Sequence, residues 1–217
     1  QILYLTTDAI KLSKMSAGIG EGKIGLLGSV EDYLKEQRFD LEADVQGLKI
    51  QDLLVQENAP VKAEGIFSGK LKGRGKGFAP EALRSSLSGS ADLAVVSAKL
   101  KDINVLRTVL DKISVIPGLS EKIQGNLSER YKQKLNQKDT QLSDIKLPVV
   151  IENGLFLMKN ISVEADEFLF QGAGQAGMDG RYAVEGAFLI PQELSTGMVA
   201  AVKELQYLVN ENQQIYL

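Results

Sequence analysis

Three carboxylates, Glu164, Asp166 and Glu167, stand close together in the chain. Two carboxyl groups facing each other across a cleft are the equipment of a glycoside hydrolase, one giving a proton and the other acting as base or nucleophile. Placed on one strand, Glu164 and Asp166 would share a face, and the competing reading is a pair of solvated surface acids. A second stretch, VKAEGIFSGKLKGRGKGF at residues 61–78, concentrates glycine with lysine and arginine. A phosphate-cradling loop needs its glycines between a strand and a helix N-terminus and closes on Gly-Lys-Ser/Thr. Here Gly75-Lys76 runs into Gly77-Phe78, although a helix does begin at Pro80. A nucleic-acid arm would interleave its cations with aromatic side chains, and the whole chain carries a net charge of -3. The sequence has no histidine and no cysteine. It therefore lacks the commonest general base, the thiol nucleophile and the thiolate metal ligand. Neither "DEF" nor "MDG" gathers enough acidic oxygens for calcium. Ser120-Glu121-Lys122 sits beside a helix break, which leaves a Ser-Lys nucleophile without its context. No cofactor is expected.

Parity decides how residues 61–77 are read. Odd positions hold Val61, Ala63, Gly65, Phe67, Gly69, Leu71, Gly73, Gly75 and Gly77, and even positions hold Lys62, Glu64, Ile66, Ser68, Lys70, Lys72, Arg74 and Lys76. A period of two with one apolar and one charged face is a half-buried strand. Such a strand would span roughly 56 Å at about 3.3 Å per residue. Its glycines are expected to mark bends or bulges that curl it. The lysines read as a solvated face that also discourages edge pairing.

The same period appears elsewhere. ILYLTTDAIKLS and GKIGLLGSV read as two strands around a glycine-rich turn near Gly18 to Gly22. FDLEADVQGLKI places Phe39, Leu41, Ala43, Val45 and Gly47 on one face. QDLLVQENA is ambiguous. Pro80 opens a short helix with Leu83 and Leu87 four apart. GSADLAVVSAKLKD is a strand with an irregularity near Val95-Val96. The middle is helical. Asp102 is a candidate cap for a helix bearing Ile103, Leu106, Leu110 and Ile113. Pro117-Gly118 breaks it, and Leu119, Ile123, Leu127, Tyr131 and Leu135 continue, with Gly125-Asn126 a point of division. Asn153-Gly154 and Asp179-Gly180 are hairpin turns. Pro191 begins a last helix striped by Leu194, Met198, Val202, Leu205 and Val209, and QQIYL returns to strand.

The predicted fold class is β-rich α+β, a long curled and mainly antiparallel sheet, like a groove or half-barrel, with packed amphipathic helices. One continuous domain, 1–217, is expected. Residues 1–60 give N-terminal strands, 61–102 long strands, 103–138 a helical insert, 147–190 β-hairpins and 191–209 a terminal helix. No apolar run approaches the roughly 20 residues of a membrane-spanning helix. The chain opens at Gln1 and stops inside a strand at Leu217, and it is read as a piece of a longer protein.

LSGSADLAVVSAKLKDINV, the helical insert and VVIENGLFLMKNISVEADEFLFQGAGQAGMDGRYAVEGAFLI together resemble the C-terminal region of the AsmA-like family. The resemblance spans about residues 61–190. It rests on Gly89, Leu100 to Ile103, Asn153-Gly154, Gly172 to Gly174 and Asp179-Gly180. It implies a periplasmic β-rich body, anchored to the inner membrane by a helix outside this chain and related to TamB-like lipid-transport proteins. It implies a part in outer-membrane assembly or maintenance and carries no catalytic motif. On this reading the protein is not an enzyme. It binds or conducts a phospholipid or another envelope lipid in an apolar groove, and the lining candidates are Phe67, Leu71, Phe168, Phe170, Val184 and Phe188. For each of them the competing reading is ordinary core beneath the helices. The alternative function is a scaffold or cap whose groove is plugged by helices and which binds an envelope protein through a sheet edge. A carbohydrate-active enzyme using Glu164 or Asp166 is a third reading. No nucleic-acid partner is expected.

Overall fold

The structure is a computed structural model that describes residues 2–53, 62–113 and 119–217. Val61, Pro117-Gly118 and most of QDLLVQENA lie outside the described residues, as do the side chains of Ile113 and Leu119. The strands are β1 (Ile2–Leu5), β2 (Ala9–Ile19), β3 (Gly22–Glu31), β4 (Arg38–Lys49), β5 (Lys62–Lys76), β6 (Ser88–Lys101), β7 (Thr140–Gln141), β8 (Ile145–Glu152), β9 (Leu155–Ala165), β10 (Phe168–Gly177), β11 (Tyr182–Ile190) and β12 (Ile215–Tyr216). Interspersed are α1 (Ile50–Leu53), α2 (Pro80–Ser86), α3 (Val105–Ile113), α4 (Leu119–Asn126), α5 (Glu129–Asn136), α6 (Gln192–Ala201) and a 3-10 turn at Lys203–Leu208.

The twelve strands form one open antiparallel sheet. Its order follows the chain from β1 to β12, with β7 set against the side of β6. The fold is thus the β-rich α+β class predicted, with one long sheet and several helices. A meander of this kind needs only short turns between neighbours. Apart from the α2 connection, the chain departs from short turns at one end of the sheet. The connections β4–β5, β6–β8 and β11–β12 fall at that end and carry α1, α3–α5 and α6. The opposite end holds the turns β1–β2, β3–β4, β8–β9 and β10–β11, and the β5–β6 connection with α2.

Register builds a single apolar face. Leu12 stands opposite Gly28, Gly28 opposite Leu41, Leu41 opposite Gly73, and Gly73 opposite Gly89. Gly89 then meets Ile151, and Ile151 meets Phe156. Because side chains alternate, each of these positions sets the parity of its strand as far as the next bulge. The odd set of β5 does face inward, as its pattern predicts. The predicted irregularity near Val95-Val96 is a bulge opposite Glu64 to Ile66, with Ser97 at φ 54.

Some details differ from the sequence reading. ILYLTTDAIKLS is two strands, because Thr6 and Asp8 close a turn, the Thr6 Oγ1 accepting the Ala9 amide at 3.0 Å. Gly47 does not continue the face of Phe39 to Val45. It occupies a bulge at φ 66, and Leu48 takes the inward place opposite Phe67. Asp102 does not cap α3. The Asn104 Oδ1 accepts the Arg107 amide at 2.8 Å, while Asp102 turns the chain at φ 57. The last α-helix ends at Ala201, and the Leu205 and Val209 part of the stripe belongs to the 3-10 turn and its exit. Gly125-Asn126, the predicted point of division, ends α4, and α5 begins at Glu129.

The main core lies where the helices cover the apolar face. Leu106, Leu110, Ile123, Leu127, Tyr131 and Leu135 of α3–α5 and Leu194 and Met198 of α6 pack against Ala98, Ala165, Phe168 and Ile190 of the sheet. Three polar pins hold the helices there. Thr140 Oγ1 accepts the Val105 amide and donates to the Ile103 carbonyl. Asn104 Nδ2 donates to the carbonyls of Lys134 and Gln137 at the end of α5. Ser195 Oγ donates to the Ile190 carbonyl and accepts the Ile215 amide, both at 2.9 Å.

Candidate apolar binding site

α2 is a seven-residue helix that lies on the apolar face at the short-turn end. Pro at its first position suits a helix start. Leu83 points inward, and Leu87, just past its end, joins a small second core with Ala91, Val149 and Ile151. The β8–β9 turn locks it in place. Asn153 and Gly154 have φ of 48 and 72, the doubly left-handed pair of a type I′ hairpin. The Gly154 amide donates to the Leu87 carbonyl at 2.9 Å. A β-carbon at Gly154 would come within 2.7 Å of the Arg84 Cα, so the turn seats directly on the backbone of the helix.

Beside α2 the apolar face encloses a cleft of about 390 Å³. Its walls are Ile10 and Leu12 of β2, Val30 of β3, Phe39 and Leu41 of β4, Leu71 of β5, Ile151 of β8 and Phe156 of β9, roofed by Phe78, Leu83 and Leu87. Phe78 stacks on Phe39 at 5.4 Å between centroids. Ser29 and Asp40 border the cleft, but their strand parity is that of the outward set. The cleft also shows the curl of the sheet. β2 and β9 are six strand steps apart, roughly 29 Å on a flat sheet, yet both line a space that as a sphere would be only about 9 Å across.

The other face answers the question raised by the glycine-lysine stretch. Arg74, Lys72 and Lys70 of β5 stand in register with Asp40, Glu42 and Asp44 of β4. Lys72 Nζ lies 3.1 Å from the Glu42 carboxylate. Over these strands the outer face forms a depression of about 470 Å³ in which Lys11, Lys72 and Arg74 mix with Asp40 and Glu42. Cross-strand pairs of opposite sign neutralise each other, which leaves the depression three basic side chains against two acidic, an excess of a single charge.

The six predicted lining residues share the apolar face but are not brought together. Leu71 lines the cleft. Phe67 is half-buried further along β5, opposite Leu48 and Val95. Phe168, Phe170 and Phe188 form an aromatic cluster, with centroids 5.0 and 5.5 Å apart, beneath the helices of the main core. Val184 stands half-exposed on β11. The helices occupy the end of the face where the phenylalanines point. Pattern alone missed Ile10, Leu12, Phe39, Leu41 and Phe156. Their parity sets were visible, and the strand order that aligns them with Leu71 was not.

The carboxylates separate likewise. Glu164 is exposed on β9, whereas Asp166 and Glu167 form the turn into β10. Glu164 and Asp166 therefore do not share a strand face. Asp166 is held 2.9 Å from the Lys134 Nζ and 3.5 Å from Arg130. The hydrogen bond from Lys134 keeps its carboxyl below the usual range. Glu167 is buried, and burial pushes its carboxyl upward. None of the three lines the cleft. Among the described residues no cluster of three acidic side chains is placed to hold a metal ion, and no helix is long and apolar enough to cross a membrane.

No protein-family model matches the chain, and no curated protein or solved structure matches it significantly.

Proposed function

We propose that this chain is a non-enzymatic module that holds the acyl chain of a lipid in the cleft beneath α2. The observation that carries the reading is the cleft itself, an almost wholly apolar space on the inner face of a curled sheet. Its volume falls within the roughly 300–1,000 Å³ of small-molecule sites, which are mostly apolar and largely pre-formed. An acyl chain suits it because the lining offers no inward polar group to orient a polar ligand. The helices fill the other end of the face, so the cargo-holding part is the portion over β2–β5, β8 and β9. The AsmA-like resemblance supplies the setting, which is lipid handling in the maintenance of a bacterial envelope, in a periplasmic body anchored elsewhere.

Native mass spectrometry of the chain incubated with phospholipid, together with displacement of a fluorescent fatty acid, tests this. Leu12→Asp and Leu41→Asp should each weaken probe binding about tenfold or more, since a carboxylate in an apolar site without a partner is strongly disfavoured. Phe188→Asp is the contrast, because it strikes the main core and should unfold the chain. A probe that binds neither the parent chain nor its variants would remove the acyl reading.

A second reading keeps one observation of its own. β1 pairs with β2 alone and carries no charged residue. Charges are among the usual protections of an exposed strand edge. Strand addition by a partner protein would use this edge and would be unaffected by Leu41→Asp.

A further inference from the structure

The short-turn end of the sheet has a property that the acyl cleft does not explain. Five connections meet there, and each exposes a large apolar side chain. Leu5 stands at the β1–β2 turn, Leu34 at β3–β4, Phe78 before α2, Leu155 at β8–β9, and Met178 with Tyr182 at β10–β11. Leu34 and Tyr182 are 78% and 80% exposed, nearly as open as in an unfolded chain. Turn tips usually carry small polar residues, so five apolar tips on one rim call for a cause.

We infer that this rim docks on a lipid bilayer, with the turn tips inserted among the head groups. The arrangement fits a bilayer better than a protein. The apolar side chains are spread over five turns, with Leu155, Met178 and Tyr182 gathered round one pocket and Leu5 and Leu34 on other turns, so the rim lacks the continuous packed core that a protein interface would present. A fluid interface closes around each tip separately. Two of the tips have a cationic neighbour suited to the head-group layer. Arg181 precedes Tyr182, and Lys35 follows Leu34. Long cationic side chains and tyrosine both place an apolar body in the interface with a polar end in water. Segments 5–8, 32–38, 76–87, 152–155 and 177–182 hold five basic and six acidic residues. A rim so nearly neutral is not steered by anionic lipid, so docking depends on apolar insertion and is insensitive to salt.

The position of the rim matters. Phe78 belongs both to the tips and to the roof of the cleft, and Phe39 and Val30, near the same end of their strands, line it. A chain drawn from the bilayer would enter the cleft at the docked end. The inference rests on the acyl-binding reading for its cargo and stands on the turn tips for its evidence.

Flotation of the full chain with phosphatidylcholine vesicles is the test, repeated with added phosphatidylglycerol and at high salt. The parent should float equally in all three conditions. Leu34→Asp combined with Met178→Asp should lose about tenfold or more of vesicle binding, since insertion scales with buried apolar area. Tyr207→Asp, exposed at the opposite end, should float like the parent. The chain has no cysteine, so an environment-sensitive dye on Leu34→Cys reports insertion directly. It should brighten and shift to the blue with vesicles, while the same dye on Asn212→Cys should not. Docking is overturned if the Leu34→Cys dye does not respond, or if the double variant floats undiminished. The two proposals fail separately. A chain that binds the fatty-acid probe but does not float loses the docking site and keeps its cargo. A chain that floats with Leu34 inserted but takes no probe keeps the docking site and loses the cargo. Leu34→Asp/Met178→Asp should leave probe binding intact, and Leu41→Asp should leave flotation intact.

Discussion

Glu167 is buried in the β9–β10 turn, 97% removed from water, yet its Oε2 finds no hydrogen-bond partner among the described residues. Lys134 stands 4.0 Å from Oε1 but is engaged at 2.9 Å with Asp166. A buried carboxylate in this state opposes folding when ionised. Because its folded pKa is raised above the unfolded value, the native state binds the extra proton. Stability is therefore greatest below the unfolded pKa and declines as pH rises through the folded one. Glu167→Gln removes the charge and keeps the shape. It should stabilise the chain at pH 7 by on the order of 1 kcal/mol, and by much less near pH 4, where the parent is already largely protonated. Thermal melts at the two pH values measure this. A loss of stability at pH 7 would mean that the Lys134 attraction outweighs the burial, and the account of Glu167 would be wrong. Asp166 runs the opposite way. Its lowered carboxyl adds stability above the usual aspartate range and gives it up as pH falls. Nothing in DEF tells these neighbours apart in the sequence, because burial of one and exposure of the other come from α5 lying across the turn.

α2 is the element on which the site depends, and a single glycine seats it. Gly154→Ala must accept a left-handed φ and a β-carbon against the Arg84 backbone. Strain of this kind costs about 1–3 kcal/mol. The variant should melt lower by that amount and should also bind the acyl probe less well, since Leu83 and Leu87 roof the cleft. Gly180→Ala, also at positive φ but with open space around it, should lose stability without losing probe binding. Equal effects of the two on binding would separate the cleft from α2. The helical insert makes the complementary case. Leu110→Ala, at 2% exposure in the main core, should cost about 2–5 kcal/mol and leave the cleft occupied as long as the chain is folded. These elements were legible to different degrees. The period-two strands, the Asn-Gly turn and the stripe from Ile123 to Leu135 are local patterns and can be read from neighbours in the chain. The broken first strand, the Gly47 bulge and the change to a 3-10 turn after Ala201 depend on what packs opposite, and a one-residue bulge leaves no local mark. The site is the least local feature of all. Ile10 and Phe156 line one cleft from strands six steps apart, and no periodicity within either strand contains that arrangement.

On the scale of the whole molecule, burial is uneven along the meander. The helices cover β6 and β8–β11, where Val149, Ile151, Ala165, Phe168 and Ile190 are all buried. Among the described residues of β1–β3 no large apolar side chain is buried, and only Gly22 is fully covered. Both regions have the same backbone ladder, so the difference lies in what the apolar face rests on. Local opening free energy follows the apolar burial that an opening would undo. Amide exchange should therefore be graded. β8–β11 and the main-core helices should exchange only with global unfolding, and β1–β3 by a sub-global opening many times faster. Ligand binding should change the gradient in one place. Ile10, Leu12, Val30 and Leu41 gain a packing partner only when the cleft is filled, so an acyl ligand should slow exchange in β2–β4 and leave β8, β10 and β11 nearly unchanged. Hydrogen exchange read by mass spectrometry, with and without the fatty-acid probe, gives both results in one experiment. Uniform protection of the apo chain would show that the meander is a single cooperative unit despite its uneven cover. Graded protection with slowing in the helices instead of β2–β4 would move the ligand to the bundle. The expected pattern, slow at the plugged end and ligand-dependent at the open wing, would mark the loosely covered strands as the part of the sheet that responds to an acyl ligand.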